Sequence, residues 1–551
     1  MRAYYGPEAD TKRILQMHND LFSTPPRIVA LDVETISLKD QTVIGVAIAI
    51  SPQDVFYYDM LEPSVPWHLI QPSRTRKIWH NAVFDLSWEA LGKFGADIDN
   101  IDDSIIVCRM IPEIENNLEE ASYSVATQTS NMGDLLREFE EKLVINLPRA
   151  EVAKKCALDA LATFQVFEKY RSSVSDEYYE TERQFLLKLL KMSHTGIRLD
   201  SGRVQAIDRE LEGAMALFYG TAEGYGYNPN SPAQVAAILN ARGHFLPADY
   251  RTKKPKTGEE ILERINDPVA QLTILARKYR KMHERTHKWL DKERSFAHYK
   301  MDGNTGRTSS YDENHQNLPT GKRKGDIIPQ AGPIRSVFLP DDEQGTRWDL
   351  NQIELRVLAY LSSDTRMTAI LNDPTRKIHR ETQEALGLES YIDAKTFNFA
   401  MIYLAEDQTI ARNIRMWDMG KIAQLRNAWQ ATFPQAWGYI ESVQEEALRT
   451  LMVETLYGRK LDISHTQKSL TEKHIRSCAV NWPIQGTAAE IFKRVSNAAQ
   501  DLGVPIESLR SQIHDEFWLD GRHELDEKLA YLAPFWTPIE SHYVRRFSDD
   551  I

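Results

Sequence analysis

The stretch RWDLNQIELRVLAYLSSD, Arg347 to Asp364, constrains the fold more than any other in the chain. Asp349 closes a strand-like run. After it Ile353, Val357 and Tyr360 recur at helical spacing, with Leu358 and Leu361 widening the apolar stripe. A strand that turns directly into an amphipathic helix leaves the acid between them at a corner, where it can hold a metal ion beside a backbone carbonyl. Taken alone, an aspartate capping a helix explains the same residues. A second stretch, SQIHDEFWL (Ser511 to Leu519), reads as a short, mostly buried strand with His514, Asp515 and Glu516 at its centre. Adjacent carboxylates in an apolar strand repel each other and lose hydration, so something must neutralise them. Along an unbroken strand His514 and Glu516 point away from Asp515.

A third set lies near the N-terminus. LDVET places Asp32 and Glu34 two apart on a strand, on one face, while Leu31 and Val33 face the core. Asp85, in HNAVFDLSWE, and Asp159, in KKCALDALATF, are further candidates. Ligands that are all oxygen suit Mg²⁺ or Mn²⁺ rather than zinc. Two such ions about 4 Å apart can serve phosphodiester hydrolysis. The chain has 79 acidic residues, so each acid by itself reads as surface decoration.

The 551 residues accommodate about three to four domains of roughly 150 residues. Residues 27 to 110 read as α/β. Residues 113 to 175 and 176 to 300 read as helical, with a loop at GYGYNPNSPAQ where Ser231 caps a helix that starts at Pro232. Strands and long helices mix from 301 onward. A domain boundary is expected near 175–185. Cys108, Cys156 and Cys478 stand singly, which excludes a disulfide framework and a cysteine-type zinc site. The longest apolar run, VIGVAIAI, is too short to span a bilayer, and MRAYYGPEAD shows no signal-peptide pattern. A cytoplasmic protein without membrane contact is expected. The net charge of −12 argues against nucleic acid, but residues 277 to 307 hold ten Lys and Arg against four Asp and Glu. Further basic clusters are RTKKPK (251–256) and GKRKGD (321–326). As composition, a charge run is more often a solvated helix face.

In combination the motifs resemble known families. LDVET, NAVFD (Asn81 to Asp85) and CALDA (Cys156 to Ala160), in this order, resemble the 3′→5′ proofreading exonucleases with an RNase H-like fold. The resemblance implies metal ligation by Asp32, Glu34, Asp85 and Asp159. That family carries Tyr or His a few residues before the last acid, to orient the attacking water; here Lys155 stands four residues before Asp159. TGRTSSYDENHQNLP, the Asp349 stretch, AKTFNFAMIY, VETLYGRKLDI, AVNWPIQGTAAEIFKR and QIHDEF resemble, in order, the palm and fingers of family A DNA polymerases, the bacterial DNA polymerase I class. HTGIRLD and NPNSPAQVAAIL resemble that family's thumb.

The resemblance implies an α/β multidomain chain: an RNase H-like exonuclease domain (1–180), then a right-hand polymerase with thumb (181–300), first palm part (301–365), fingers (366–440) and second palm part (441–551). Asp349 and Asp515 would hold two Mg²⁺ or Mn²⁺ ions, with Glu516 nearby but not essential. Glu354 would exclude a ribose 2′-hydroxyl, and Gln352 would contact the nucleotide. Tyr391, Lys395, Phe399 and Tyr403 recur every four residues as one stripe. By itself the stripe reads as a core-facing helix, which an unpaired ammonium at Lys395 speaks against; the resemblance implies a face turned to a nucleotide. Lys395 would meet the α-phosphate, Phe399 the sugar and base, and Tyr403 the templating pair. Arg307, Asn314, Gln316, Asn317, Asn481 and Gln485 would read the minor groove of primer–template DNA, and His514 the primer terminus. The 277–307 segment would grip duplex phosphates.

Several positions depart from that pattern. Tyr391 stands where the family has an Arg for the outer phosphates. Ala400 and Leu404 replace glycines, and Ser477 takes an Arg position beside Arg476. One of His379, Arg376, Lys377 or Arg380 is expected to replace the lost Arg, His379 foremost as a nucleotide ligand. The chain starts at the exonuclease, without the 5′-nuclease domain of many relatives, which suits a bacteriophage protein acting as a monomer on DNA and dNTPs. Two competing readings are a stand-alone exonuclease with a non-catalytic DNA clamp and a single-subunit RNA polymerase.

Overall fold

The computed structural model describes residues 2–5, 11–60, 65–87, 89–114, 117–249, 252–301, 303–319, 329–465, 470–525 and 527–548. The cluster GKRKGD and Arg251 lie outside the described residues.

A six-stranded sheet opens the chain. Its order is Arg2–Tyr5, Val55–Asp59, Val43–Ala49, Ile28–Thr35, Arg76–Trp79, Ile101–Asp103. The first four are antiparallel neighbours, and the last two join in parallel. Val43–Ala49 and Val55–Asp59 are buried along their whole length, which their continuous apolar runs require. Helix Arg149–Tyr170 lies against the Ile28–Thr35 and Val43–Ala49 strands. After strand Arg76–Trp79 the chain makes only a single helical turn, Ala82–Asp85, entered through Asn81 at φ +71°. Asp103 fixes that entry by accepting from the backbone N–H of Asn81 (2.9 Å) and Ala82 (2.7 Å).

The boundary expected at 180 falls inside an unbroken helix, Asp176–Thr195, capped by Ser175. The helix cannot end there because its buried face is shared between both halves of the molecule. Glu182 accepts from Lys493 (2.7 Å) and lies 3.5 Å from Arg109, all three side chains being 2% exposed. This buried ion cluster ties the first sheet's helices to the C-terminal helix Glu472–Asp501. Helices Ser201–Gly224 and Pro268–Thr286 then pair closely, and Ser231 caps Pro232–Ala241 as expected. Three short strands, Ile197–Leu199, Arg294–Ser295 and His298–Lys300, interrupt the region read as helical.

A second sheet is fully antiparallel: Leu509–Ile513, Glu516–Asp520, Gly345–Leu350, Ile539–Val544. Trp348, Phe492 and Phe517 pack together behind it, with Phe492 and Phe517 stacked at 4.7 Å. Alternation along the strand therefore turns Trp348 into the core and Asp349 to the opposite face. Removing the Phe517 ring would cost about 3–5 kcal/mol. No helix of the described residues is long and apolar enough to cross a membrane.

Candidate active site

Asp349 sits next to the end of strand Gly345–Leu350. The chain leaves the strand through Gln352, at φ +55°, and enters helix Ile353–Leu361. SQIHDEFWL is not one strand. It is a hairpin whose two-residue turn is His514–Asp515, with Ile513 paired to Glu516 and His514 at φ +58°. The alternation expected through His514 and Asp515 does not apply, because both lie in the turn. The break lets a carboxylate stand at the sheet's rim instead of within an apolar strand. Register then brings the acids together: Asp349 pairs with Glu516, and Leu350 N–H donates to the Asp515 carbonyl (3.3 Å).

Burial and mutual repulsion dominate the electrostatics. Burial, with Asp515, Glu516 and Glu540 adding to it, holds Asp349 well above the usual carboxylate range, opposed by Lys395. Burial pushes Asp515 up to about 6 against the pull of Arg307. Glu516 is occupied elsewhere, taking Arg347 (2.5 Å) and the Trp518 indole N–H (2.7 Å). The Asp349 and Asp515 carboxylates accept no side-chain hydrogen bond among the described residues. Two hard-oxygen donors that take no side-chain hydrogen bond among the described residues fit Mg²⁺ or Mn²⁺.

Helix Tyr391–Ile402 presents its stripe outward. Lys395 and Tyr391 are exposed, while Ala394, Phe397, Asn398 and Met401 form the buried face. Phe399 stacks near Tyr403 (6.2 Å). Tyr403 donates to Glu354 (2.5 Å), whose other oxygen takes Arg307. Glu354 is thus a buried acid clamped by two groups. His379 is 1% exposed, packs on Tyr391 and Phe399, and receives Asn398 at Nδ1 (2.9 Å). Burial, with Lys395 adding to it, lowers its pKa to about 3, so it is neutral. Arg376 pairs with Glu381 (2.7 Å), whereas Lys377 and Arg380 have no acidic partner among the described residues. Arg380 acts on the Tyr391 hydroxyl.

The expected groove readers divide. Gln316 turns inward, donating to Gln512 (2.8 Å), and Gln512 in turn donates to the His514 carbonyl. These two amides, with Thr308 on Gln512 (2.6 Å), brace the turn that carries Asp515. Asn314 accepts from the Asn317 N–H (2.9 Å), and Asn317 is exposed. Asn481 donates to the Ser477 carbonyl (2.9 Å) on helix Glu472–Asp501, with Gln485 half-buried one turn on. His514 is exposed. Arg476 is spent on Glu445 and Glu472. Gly306, at φ +80°, lets the loop before Arg307 pass where a Cβ would stand 2.6 Å from the Arg459 guanidinium. Much of the basic segment is matched internally: Arg280 to Glu284, Lys288 to Asp312, Arg294 to Asp341. Gln512, Thr308 and Arg347 lie inside the quoted stretches but were given no role there; their roles come from segments far apart in the chain.

The first acidic set also converges. Asp32 and Glu34 lie on strand Ile28–Thr35, Asp85 on its single turn, and Asp159 on helix Arg149–Tyr170. Burial holds Asp32 and Asp85 well above the usual range, and Asp159 and Glu34 add to both. Burial pushes Glu34 to about 8 against Lys155. Asp159 takes Lys155 on one oxygen and Thr129 on the other. The Cys156 thiol, kept protonated by burial, donates to the Asp32 carbonyl (3.4 Å). Thr129 and Asp103 were not foreseen; neither lies in a motif.

A palm-like antiparallel sheet carrying paired acids, faced by a helix with an outward Lys–Phe–Tyr stripe, defines a nucleotidyl-polymerase class of fold. The profile of DNA polymerase family A matches residues 203–534, and the chain belongs to that family. DNA polymerase I, thermostable, of Thermus thermophilus is 29% identical over 410 residues, covering 66% of this chain and 47% of the relative. DNA polymerase I of Chloroflexus aurantiacus is 27% identical over 567 aligned positions, covering 91% and 58%. The chain thus spans about half the length of these curated relatives. The polymerase domain of Pol1 from M. smegmatis, solved with DNA primer-template and dNTP, superposes with a TM-score of 0.70 at 20% identity, covering 94% of this chain and 95% of that one. The mixed α/β fold is of the palm, thumb and fingers type.

Proposed function

We propose that this chain is a template-directed DNA polymerase that extends a primer 3′ end with dNTPs. The observation that carries the reading is the pair Asp349 and Asp515, joined across the sheet, without a side-chain partner, and within the field of Lys395 and Arg307. These two acids would hold the Mg²⁺ or Mn²⁺ ions, which when bound acidify a hydroxyl and neutralise a departing pyrophosphate. Lys395 meets the α-phosphate from the exposed stripe. Phe399 packs on sugar and base, and Tyr403 closes behind the templating pair. Glu354, buried and clamped by Tyr403 and Arg307, crowds the sugar's 2′ position. Gln316 and Gln512 keep the Asp515 turn in place. Arg380, beside Tyr391, takes the outer phosphates in place of the missing Arg.

The N-terminal domain is read as an RNase H-like 3′→5′ exonuclease that receives the primer end. Its sheet, four antiparallel neighbours joined through Ile28–Thr35 to two parallel strands, and its four converging acids support this. The residues that follow helix Asp176–Thr195, up to 300, serve as thumb, 301–365 and 441–551 as palm, and 366–440 as fingers. Primer extension on a labelled hairpin, with dNTPs against rNTPs, tests the reading. Extension with dNTPs alone is expected. No extension with dNTPs overturns it, and equal use of rNTPs favours an RNA polymerase.

A further inference from the structure

Three of the four acids of the N-terminal cluster, Asp159, Glu34 and Asp32, share one cation supplied by the chain. Lys155 and Asp159 lie one turn apart on helix Arg149–Tyr170, where i and i+4 side chains meet. The Lys155 ammonium sits on Asp159 Oδ2 and the Thr129 hydroxyl on Oδ1, so both oxygens are engaged. Lys155 is 9% exposed and acts on Glu34 and Asp32 as well. It therefore stands among three of the four acids, not at the rim. The opposite side of the cluster is different. Asp32 Oδ2 is buried and has no hydrogen-bond partner among the described residues. Ligand atoms of Asp32 and Glu34 approach within 4.8 Å of each other.

We propose that the Lys155 ammonium occupies the place of one of two divalent ions, leaving the cluster room for a single Mg²⁺ or Mn²⁺ held by Asp32 and Glu34. The inference rests on the exonuclease reading of this domain. Charge is compatible with it: against four carboxylates, the lysine and one divalent ion supply three positive charges, and a second ion would raise that to five. Both Asp159 oxygens already accept a hydrogen bond, one of them from the ammonium, so a second ion at Asp159 would have to compete with Lys155. An ammonium holds phosphate oxygens by charge and hydrogen bonds. It does not acidify water as a divalent ion does.

The test counts ions. In the full chain carrying Asp349→Asn and Asp515→Asn, which removes the palm ligands, Mn²⁺ is titrated by the electron paramagnetic resonance of the free ion. A deoxynucleoside 5′-monophosphate is present as the probe. One Mn²⁺ per chain is expected with Lys155, one with Lys155→Arg, and two with Lys155→Gln. Equal counts for Lys155 and Lys155→Gln overturn the proposal. If both bind two, the exonuclease reading stands and only the role of Lys155 falls; if neither binds any, both fall. Unchanged primer extension by Lys155→Gln in an otherwise native chain verifies folding. Should that variant not fold, Lys155→Tyr replaces it, with the same expected gain of one ion.

Discussion

At the rim of the C-terminal sheet, Asp349 on its strand comes up against Asp515 in the hairpin turn, and the cations that act on them, Lys395 and Arg307, stand on other elements. In the N-terminal cluster, Asp159 and its cation Lys155 stand one turn apart on the same helix, in contact. Both clusters are buried acid sets whose carboxyls are pushed up by desolvation. In the first, neutralisation is left to what arrives with substrate. In the second, part of it is built in. A resident ammonium lowers the cost of assembling the acids and takes a place that a metal would otherwise fill.

The sharpest break of this comparison separates the two sites. Asp349→Ala or Asp515→Ala is expected to lower primer extension by at least about a thousand-fold, roughly 4 kcal/mol of barrier, and to leave 3′ degradation intact. Asp32→Ala should do the reverse. Labelled-hairpin assays read both, and a variant that loses both activities while remaining folded would dissolve the distinction. Next in size is the ion cluster that holds the two regions together. Glu182→Ala leaves Lys493 and Arg109 buried without their acid and should cost about 3–5 kcal/mol in denaturant unfolding.

The absence of a built-in partner also has a pH signature. Asp515 binds its proton more tightly folded, at about 6, than unfolded, at 3.8. The stability that proton supplies is complete below pH 3.8 and lost as pH rises through about 6. In chelator, Asp515→Asn should therefore match the parent below pH 3.8 and exceed it at pH 7 by about 1–3 kcal/mol, reduced by solvent screening. Melting curves across that window check it, and added Mg²⁺ should erase the gain. The smallest effect concerns the fingers. Arg380→Ala should raise KM for dNTP about tenfold, or 1.4 kcal/mol, with Arg376→Ala, already paired to Glu381, near neutral.

Much of this was legible in the residues. The strand-to-helix corner at Asp349, the Ser231–Pro232 start, and the stripe from Tyr391 to Tyr403 follow from periodicity and capping, which are local. The departure at Lys155 was legible as a substitution, but not its consequence. The turn at His514–Asp515 was missed because apolar residues flank it on both sides, and only antiparallel pairing of Ile513 with Glu516 reveals a hairpin. Gln316 was expected on DNA and instead braces Gln512 from 196 residues away.

By itself the sequence determined the strand-to-helix corner at Asp349, the capped start at Ser231 and the placing of Asp32 and Glu34 on one face of a strand, since those depend on neighbours within a few residues. Tertiary structure decided which acid meets which cation. Charge pairing at Glu354 and Glu182, and the approach of Lys155 to Asp32 and Glu34, depend on elements brought together from far along the chain, and electrostatics in a dry interior changes over a few ångströms.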